Sequence, residues 1–155
     1  MKIGIIVHSK TGNTYSVAKR LEERLLETGH HVTVEKVTVE DDKKKTEEME
    51  LLSRPNPEGY DALVFGCPVW AFSLSTVMNC YLSQLPAQDS KAAACFVTQS
   101  FPFSWMGGKR AIKQMMQLCK TKGIQVNQTG IINWSNKKRE DQINDLVDKL
   151  SQVLH

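Results

Sequence analysis

The chain alternates between short, almost unbroken apolar runs and longer stretches in which apolar residues recur every three or four positions. Residues 3–7 (Ile-Gly-Ile-Ile-Val) are the first such run, the signature of a strand buried on both faces. Val17, Leu21 and Leu25 follow at four-residue spacing, a helix that Asn13 or Thr14 can cap and Gly29 stops. Val32 and Val34, with the more distant Val37, mark a second strand that starts with period two. The chain therefore opens strand, helix, strand.

From Thr38 to Gly59 the pattern weakens. "EDDKKKTEE" is a mixed charge run carrying no functional motif, Thr46 to Ser53 is compatible with a short helix, and "RPNPEG" reads as a loop. Buried-strand character returns in "DALVFG" (61–66), followed by the polar-aromatic loop "CPVWAFSLS" and a helical face of Leu74, Met78, Tyr81, Leu82 and Leu85. Lys91 to Gln99 forms a fourth strand, which runs into the aromatic loop "SFPFSWMGG". Ile112, Met115, Met116 and Cys119 then make a helical stripe that ends at Gly123. Ile124 to Ile132 is the last strand, and Ile143, Leu146, Val147, Leu150 and Leu154 give the closing helix. Five strands alternating with helices imply a parallel sheet covered on both faces, because parallel strands need crossovers and right-handed crossovers place helices on each side. Ligands of such sheets bind outside the carboxyl ends of the strands. Residues 8–14, 67–73 and 98–108 all lie at carboxyl ends and are expected to converge on one site.

Composition narrows the class without giving a function. A chain of 155 residues, 41% hydrophobic and 24% charged, is expected to form one domain over residues 1–155, with a core that needs no staples. No apolar stretch reaches the roughly 18 residues of a membrane span, and the strand-like start shows no signal-peptide pattern, so a cytoplasmic protein is the expectation. Cys67, Cys80, Cys95 and Cys119 are scattered and expected to be reduced thiols in the core. His8, His30, His31 and His155 are equally unclustered, so no metal site is expected. The net charge of +3 gives no support to nucleic-acid binding. Its distribution is more informative. Residues 1–90 hold 10 Lys and Arg against 13 Asp and Glu, whereas residues 91–155 hold 10 against 4, so the C-terminal half can steer a negatively charged partner or substrate.

The first loop, "HSKTGNT", is neither a Walker loop nor a dinucleotide fingerprint. Its Ser9, Thr11 and Thr14 hydroxyls, the Asn13 amide and the N–H groups after Gly12 suit the three terminal oxygens of a phosphate monoester at a helix N-terminus. A well-capped strand-to-helix turn accounts for the same residues. The other two loops add flat side chains, Trp70 and Phe72 in one and Phe101, Phe103 and Trp105 in the other, and a planar heterocycle can stack on such faces.

With these residues in place the chain resembles a flavodoxin. The family's phosphate loop, approximately [ST]-x-T-G-x-T after the first strand, is matched by Ser9-Lys10-Thr11-Gly12-Asn13-Thr14, and its strand-three exit by Gly66-Cys67-Pro68-Val69-Trp70-Ala71. The order of elements matches over essentially the whole length, without the extra loop of long-chain flavodoxins. The resemblance implies an α/β, flavodoxin-like three-layer sandwich with a five-stranded parallel sheet of order 2-1-3-4-5, helices on both faces, and non-covalent FMN. It places the FMN phosphate on residues 9–14 and one face of the isoalloxazine under Trp70, within the loop Pro68, Val69, Trp70, Ala71 and Phe72. The other side and the pyrimidine edge fall to Thr98, Gln99, Ser100, Phe101 and Phe103, with Trp105 and Gly107 closing the third loop. In the family the peptide after the tryptophan turns over to bond the protonated flavin N5, a role that falls here to Ala71.

Three departures from the family pattern stand out. Ala71 occupies a common glycine position, where positive φ is more costly for a residue with a Cβ. No Asp or Glu lies between Thr98 and Gly108, which favours the reduced anionic flavin and shifts its potential upward. Lys10 adds a cation beside the phosphate position. The resemblance implies an electron carrier working between a reductase and an acceptor protein. An FMN-containing, NAD(P)H-dependent quinone or flavin reductase is the alternative, motivated by Lys109, Arg110 and Lys113, and a flavin-free binding module that kept the fold is a third.

Overall fold

The structure, a computed structural model, describes residues 1–101, 103 and 105–153. Along the chain run β1 (Lys2–Val7), α1 (Asn13–Glu27), β2 (His31–Lys36), β3 (Thr38–Val39), β4 (Leu51–Ser53), β5 (Ala62–Trp70), β6 (Ser73–Leu74), α2 (Thr76–Gln84), β7 (Lys91–Gln99), α3 (Gly108–Thr121), β8 (Ile124–Asn133) and α4 (Arg139–Val153). The five long strands pair in parallel in the order β2-β1-β5-β7-β8, which in long-strand numbering is 2-1-3-4-5. Short β6 turns back antiparallel on β5, and β3 pairs with β4 as a separate ribbon.

Both faces of the sheet are buried, which is why its central strands lack polar alternation. Ile3, Ile5, Val7, Ala94 and Phe96 pack on one face against Val17, Leu21 and Leu25 of α1 and Ile143, Leu146 and Leu150 of α4. Ile6, Phe65, Cys67, Cys95 and Val97 pack on the other against Met78, Tyr81 and Leu82 of α2 and Ala111, Met115 and Cys119 of α3. All four cysteines are buried and unpaired, and burial pushes the Cys67 thiol up to about 12.

Several sequence expectations are corrected. α1 is capped by Gly12, in the left-handed region, and not by Asn13 or Thr14; Ser9 Oγ accepts from the Tyr15 N–H and so supplies the missing cap oxygen. Only Thr46–Glu48 of the expected Thr46–Ser53 helix is helical, as a 3₁₀ turn, because Leu51–Ser53 is drawn into pairing with β3. Residues 67–73 are not all loop: β5 runs on to Trp70, and Leu74 belongs to β6 rather than to α2. Met116 is 39% exposed, because the buried stripe of α3 runs Gly108, Ala111, Ile112, Met115 and Cys119, one position away. Leu154 and His155 lie outside the described residues. No described helix is long and apolar enough to cross a membrane.

Candidate functional site

The three carboxyl-end loops meet. Thr14 Oγ1, at the start of α1, and Thr98 Oγ1, near the end of β7, share a buried 2.8 Å hydrogen bond that ties the first loop to the third. The second and third loops touch through backbone: a Cβ on Gly107 would lie 2.7 Å from Phe72 Cα and 3.0 Å from Val69 Cγ1. Gly107 fits there at φ 111° because it carries no side chain.

The first loop leaves the start of α1 open. Gly12 has φ 95°, and the space that a Cβ would enter is open for 4 Å around. The first turn of α1 contains no acidic residue, and the N–H groups of Asn13 and Thr14 lie among those that no intrahelical carbonyl can reach. Thr11 and Gly12 are exposed, and Ser9 and Asn13 are half-buried. Thr14 is 1% exposed with its hydroxyl engaged by Thr98, so its hydroxyl serves the loop's anchoring. Lys10 forms an ion pair with Asp42 at 3.0 Å, and its ammonium stands 5.7 Å from the Trp70 ring centroid.

Trp70 is half-buried at the end of β5, on a hairpin that pairs Val69 with Leu74 and Trp70 with Ser73. The two connecting residues, Ala71 (φ 50°) and Phe72 (φ 60°), are both left-handed, as a two-residue hairpin turn of this hand requires. Neither is glycine, so the turn stores on the order of 1–2 kcal/mol per residue. Gln114 of α3 holds the returning strand, its Oε1 accepting from Ser73 Oγ and from the Leu74 N–H, each at 2.8 Å.

Beneath Trp70 sits His8, 6% exposed, with ring centroids 4.9 Å apart and planes at 88°. His8 Nδ1 is 3.0 Å from Ser75 Oγ, which also accepts from the Met78 N–H as the cap of α2. Burial lowers the His8 pKa to about 4; the Asp42 charge opposes this and Lys10 adds to it. The imidazole is therefore neutral at pH 7.

The aromatic residues of the second and third loops pair with one another. Phe101 stacks on Phe72 at 4.9 Å, and Phe103 stacks on Trp105 at 6.0 Å. A separation of 4.9 Å leaves no room for a third ring between Phe72 and Phe101. Gln99 is 3% exposed, and its Nε2 donates to the Phe103 carbonyl at 2.6 Å and to Asn133 Oδ1, fixing the loop against the end of β8. Ser100 accepts from Ser135 Oγ through its carbonyl, and Pro68 sits in register with Thr98.

The parallel 2-1-3-4-5 sheet, with both faces covered and a hydroxyl-rich turn at the first carboxyl end, can be set beside solved structures. The chain has a flavodoxin-like fold. Over 99% of both chains it is similar to oxidised flavodoxin 2 from Bacillus cereus, with a TM-score of 0.69 and 14% identity. Against the flavodoxin of Streptococcus pneumoniae TIGR4 the score is 0.67 at 11% identity, again over 99% of each chain. Against two-electron reduced Megasphaera elsdenii flavodoxin it is 0.68 at 17% identity, over 97% of this chain and 98% of that one. No protein-family model matches the sequence.

Within this flavodoxin-like frame, residues 9–14 and 68–72 and the described residues of the third loop, 98–101, 103 and 105–107, gather at one end of the sheet. Trp105 is 72% exposed and packs on Phe103 alone among the ring contacts of the described residues. Three participants escaped sequence reasoning. His8 lay inside the quoted motif but had no assigned role, Ser75 carried the ordinary signal of a helix cap, and Asp42 came from a charge run whose placement depends on the β3–β4 ribbon.

Proposed function

We propose that the chain binds FMN non-covalently at this end of the sheet and serves as a flavodoxin-like electron carrier. The observation that carries the reading is the open left-handed Gly12 at the mouth of α1, with no acid in the first turn and with Lys10, Thr11 and Asn13 around it. A phosphate dianion fits such a cradle, because free N–H groups, hydroxyls and one cation all favour negative charge. FMN, when bound, supplies reversible uptake and release of electrons. The chain's own residues bind, orient and shield. Ser9, Thr11 and Asn13 ring the phosphate, and Lys10 exchanges Asp42 for it. Trp70 offers the stacking surface, since Phe72 and Phe101 close on each other and form a wall. His8, held by Ser75, keeps Trp70 in place without bringing a charge beneath it at neutral pH.

Mixing the purified chain with FMN, desalting, and recording the visible spectrum tests this. Near-stoichiometric retained flavin is the expected result, and colourless protein would overturn the reading. A second reading, an NAD(P)H-dependent flavin or quinone reductase, draws support from exposed Lys109, Arg110 and Lys113, which form no ion pair among the described residues. Anaerobic bleaching by NADPH without a partner enzyme would favour it over the carrier.

A further inference from the structure

Phe72, Phe101, Phe103 and Trp105 are 50%, 37%, 54% and 72% exposed, and all four lie at the carboxyl end of the sheet. They form two stacked pairs, Phe72 with Phe101 and Phe103 with Trp105, rather than scattered single residues. Two segments joined to the aromatic loop carry exposed cations. Lys109, Arg110 and Lys113 are exposed at the start of α3, directly after the aromatic loop, and Lys137 and Lys138 are exposed after β8. That second segment is tied to the aromatic loop by the Trp134 N–H donating to the Gln99 carbonyl at 2.8 Å and by Ser135 Oγ donating to the Ser100 carbonyl. None of these five cations enters an ion pair among the described residues.

Sequence composition sharpens the point. Between Asp89 and Glu140 the chain has nine Lys or Arg and no Asp or Glu. Of the acids outside that stretch, Asp42 pairs with Lys10, and Glu140 with Arg20. We propose that this end of the molecule docks on the surface of an anionic lipid bilayer, with Phe103 and Trp105 entering the headgroup region and the flanking cations meeting lipid phosphates.

Charge and ring chemistry favour lipid over an acidic protein. Trp and Phe beside lysines are the composition of interfacial membrane anchors, where rings sit at headgroup level and cations attract anionic lipid. Protein interfaces are enriched in aromatics and Arg but depleted in Lys, and four of the five unpaired cations are lysines. The proposal rests on exposure and charge, and requires that Phe103 and Trp105 stay exposed when FMN is bound.

The test is co-sedimentation of the full chain, with and without added FMN, using phosphatidylglycerol–phosphatidylcholine vesicles and vesicles of phosphatidylcholine alone. The chain is expected to sediment with the anionic vesicles and to be released in about 1 M salt, where the Debye length shrinks to about 3 Å. Lys109→Glu with Arg110→Glu and Lys113→Glu should weaken partitioning at least about tenfold. Trp105→Ala, at an exposed position that folding does not need, should weaken it several-fold and remove the blue shift of tryptophan emission. Equal sedimentation with both vesicle types, or variants that behave as the parent, would overturn the proposal. Loss of vesicle binding on FMN addition would assign the rings to the cofactor instead, and capture by polyglutamate without capture by vesicles would point to an acidic protein; either overturns it.

Discussion

Helices α1 and α3 start alike and end up with different uses. Each is capped by a left-handed glycine, Gly12 at φ 95° and Gly107 at φ 111°, and neither has an acidic residue in its first turn. Gly12 faces open space, whereas Gly107 lies against the Phe72 backbone. The same local chemistry thus leaves an open helix start in one place and makes a joint between two loops in the other. What surrounds a helix start decides whether it can bind a ligand.

Substitution at the two glycines exposes that difference. Gly107→Ala adds left-handed strain and a clash with Phe72 and Val69, an expected loss of about 2–5 kcal/mol in urea unfolding. Gly12→Ala adds the strain alone, an expected loss of about 1–2 kcal/mol. Equal losses would mean that Gly107 is not a packed joint.

The first loop's anchoring can be tested through His8. In the unfolded chain His8 titrates near 6.5, and in the fold near 4. Between those values the unfolded chain holds a proton that the folded one excludes, so stability is full above pH 6.5 and falls as pH drops toward 4. The loss is on the order of 3 kcal/mol. His8→Phe should flatten this part of the stability profile, and an unchanged slope would show that other groups carry it.

The link between the first and third loops is the Thr14–Thr98 pair. Either Thr14→Val or Thr98→Val leaves a buried hydroxyl without its partner, at about 1–3 kcal/mol, while the double variant should recover most of that loss. Simple additivity in a double-mutant cycle would deny the coupling. The smallest effect is expected from Asp42→Asn. It frees Lys10 from an exposed ion pair worth less than about 1 kcal/mol, so FMN should bind only a few-fold more tightly. Weaker binding would mean that Asp42 helps the ligand.

Legibility in the sequence follows the range of the interactions involved. The long strands and the turn into α1 were readable because periodicity and helix-end chemistry act over a few residues; Val17, Leu21 and Leu25 are all buried as their spacing requires. The 2-1-3-4-5 order came from the family resemblance. The extension of β5 to Trp70 and its return as β6 was missed, because Ala71-Phe72 carries none of the Asn-Gly or Asp-Gly signals of a tight hairpin. Asp42's meeting with Lys10 was not readable either: 32 positions separate them, and the β3–β4 ribbon places it. The aromatic residues were found, but their pairing as Phe72 with Phe101 and Phe103 with Trp105 depends on loop packing that no local pattern encodes.

The cradle at α1 is tested most directly by calorimetric titration of the full chain with FMN and, separately, with riboflavin, which lacks the phosphate. Residues 9–14 holding that phosphate through two or more charge-assisted hydrogen bonds should make FMN at least about a hundredfold tighter. Equal affinity for the two ligands would contradict a phosphate site at Gly12.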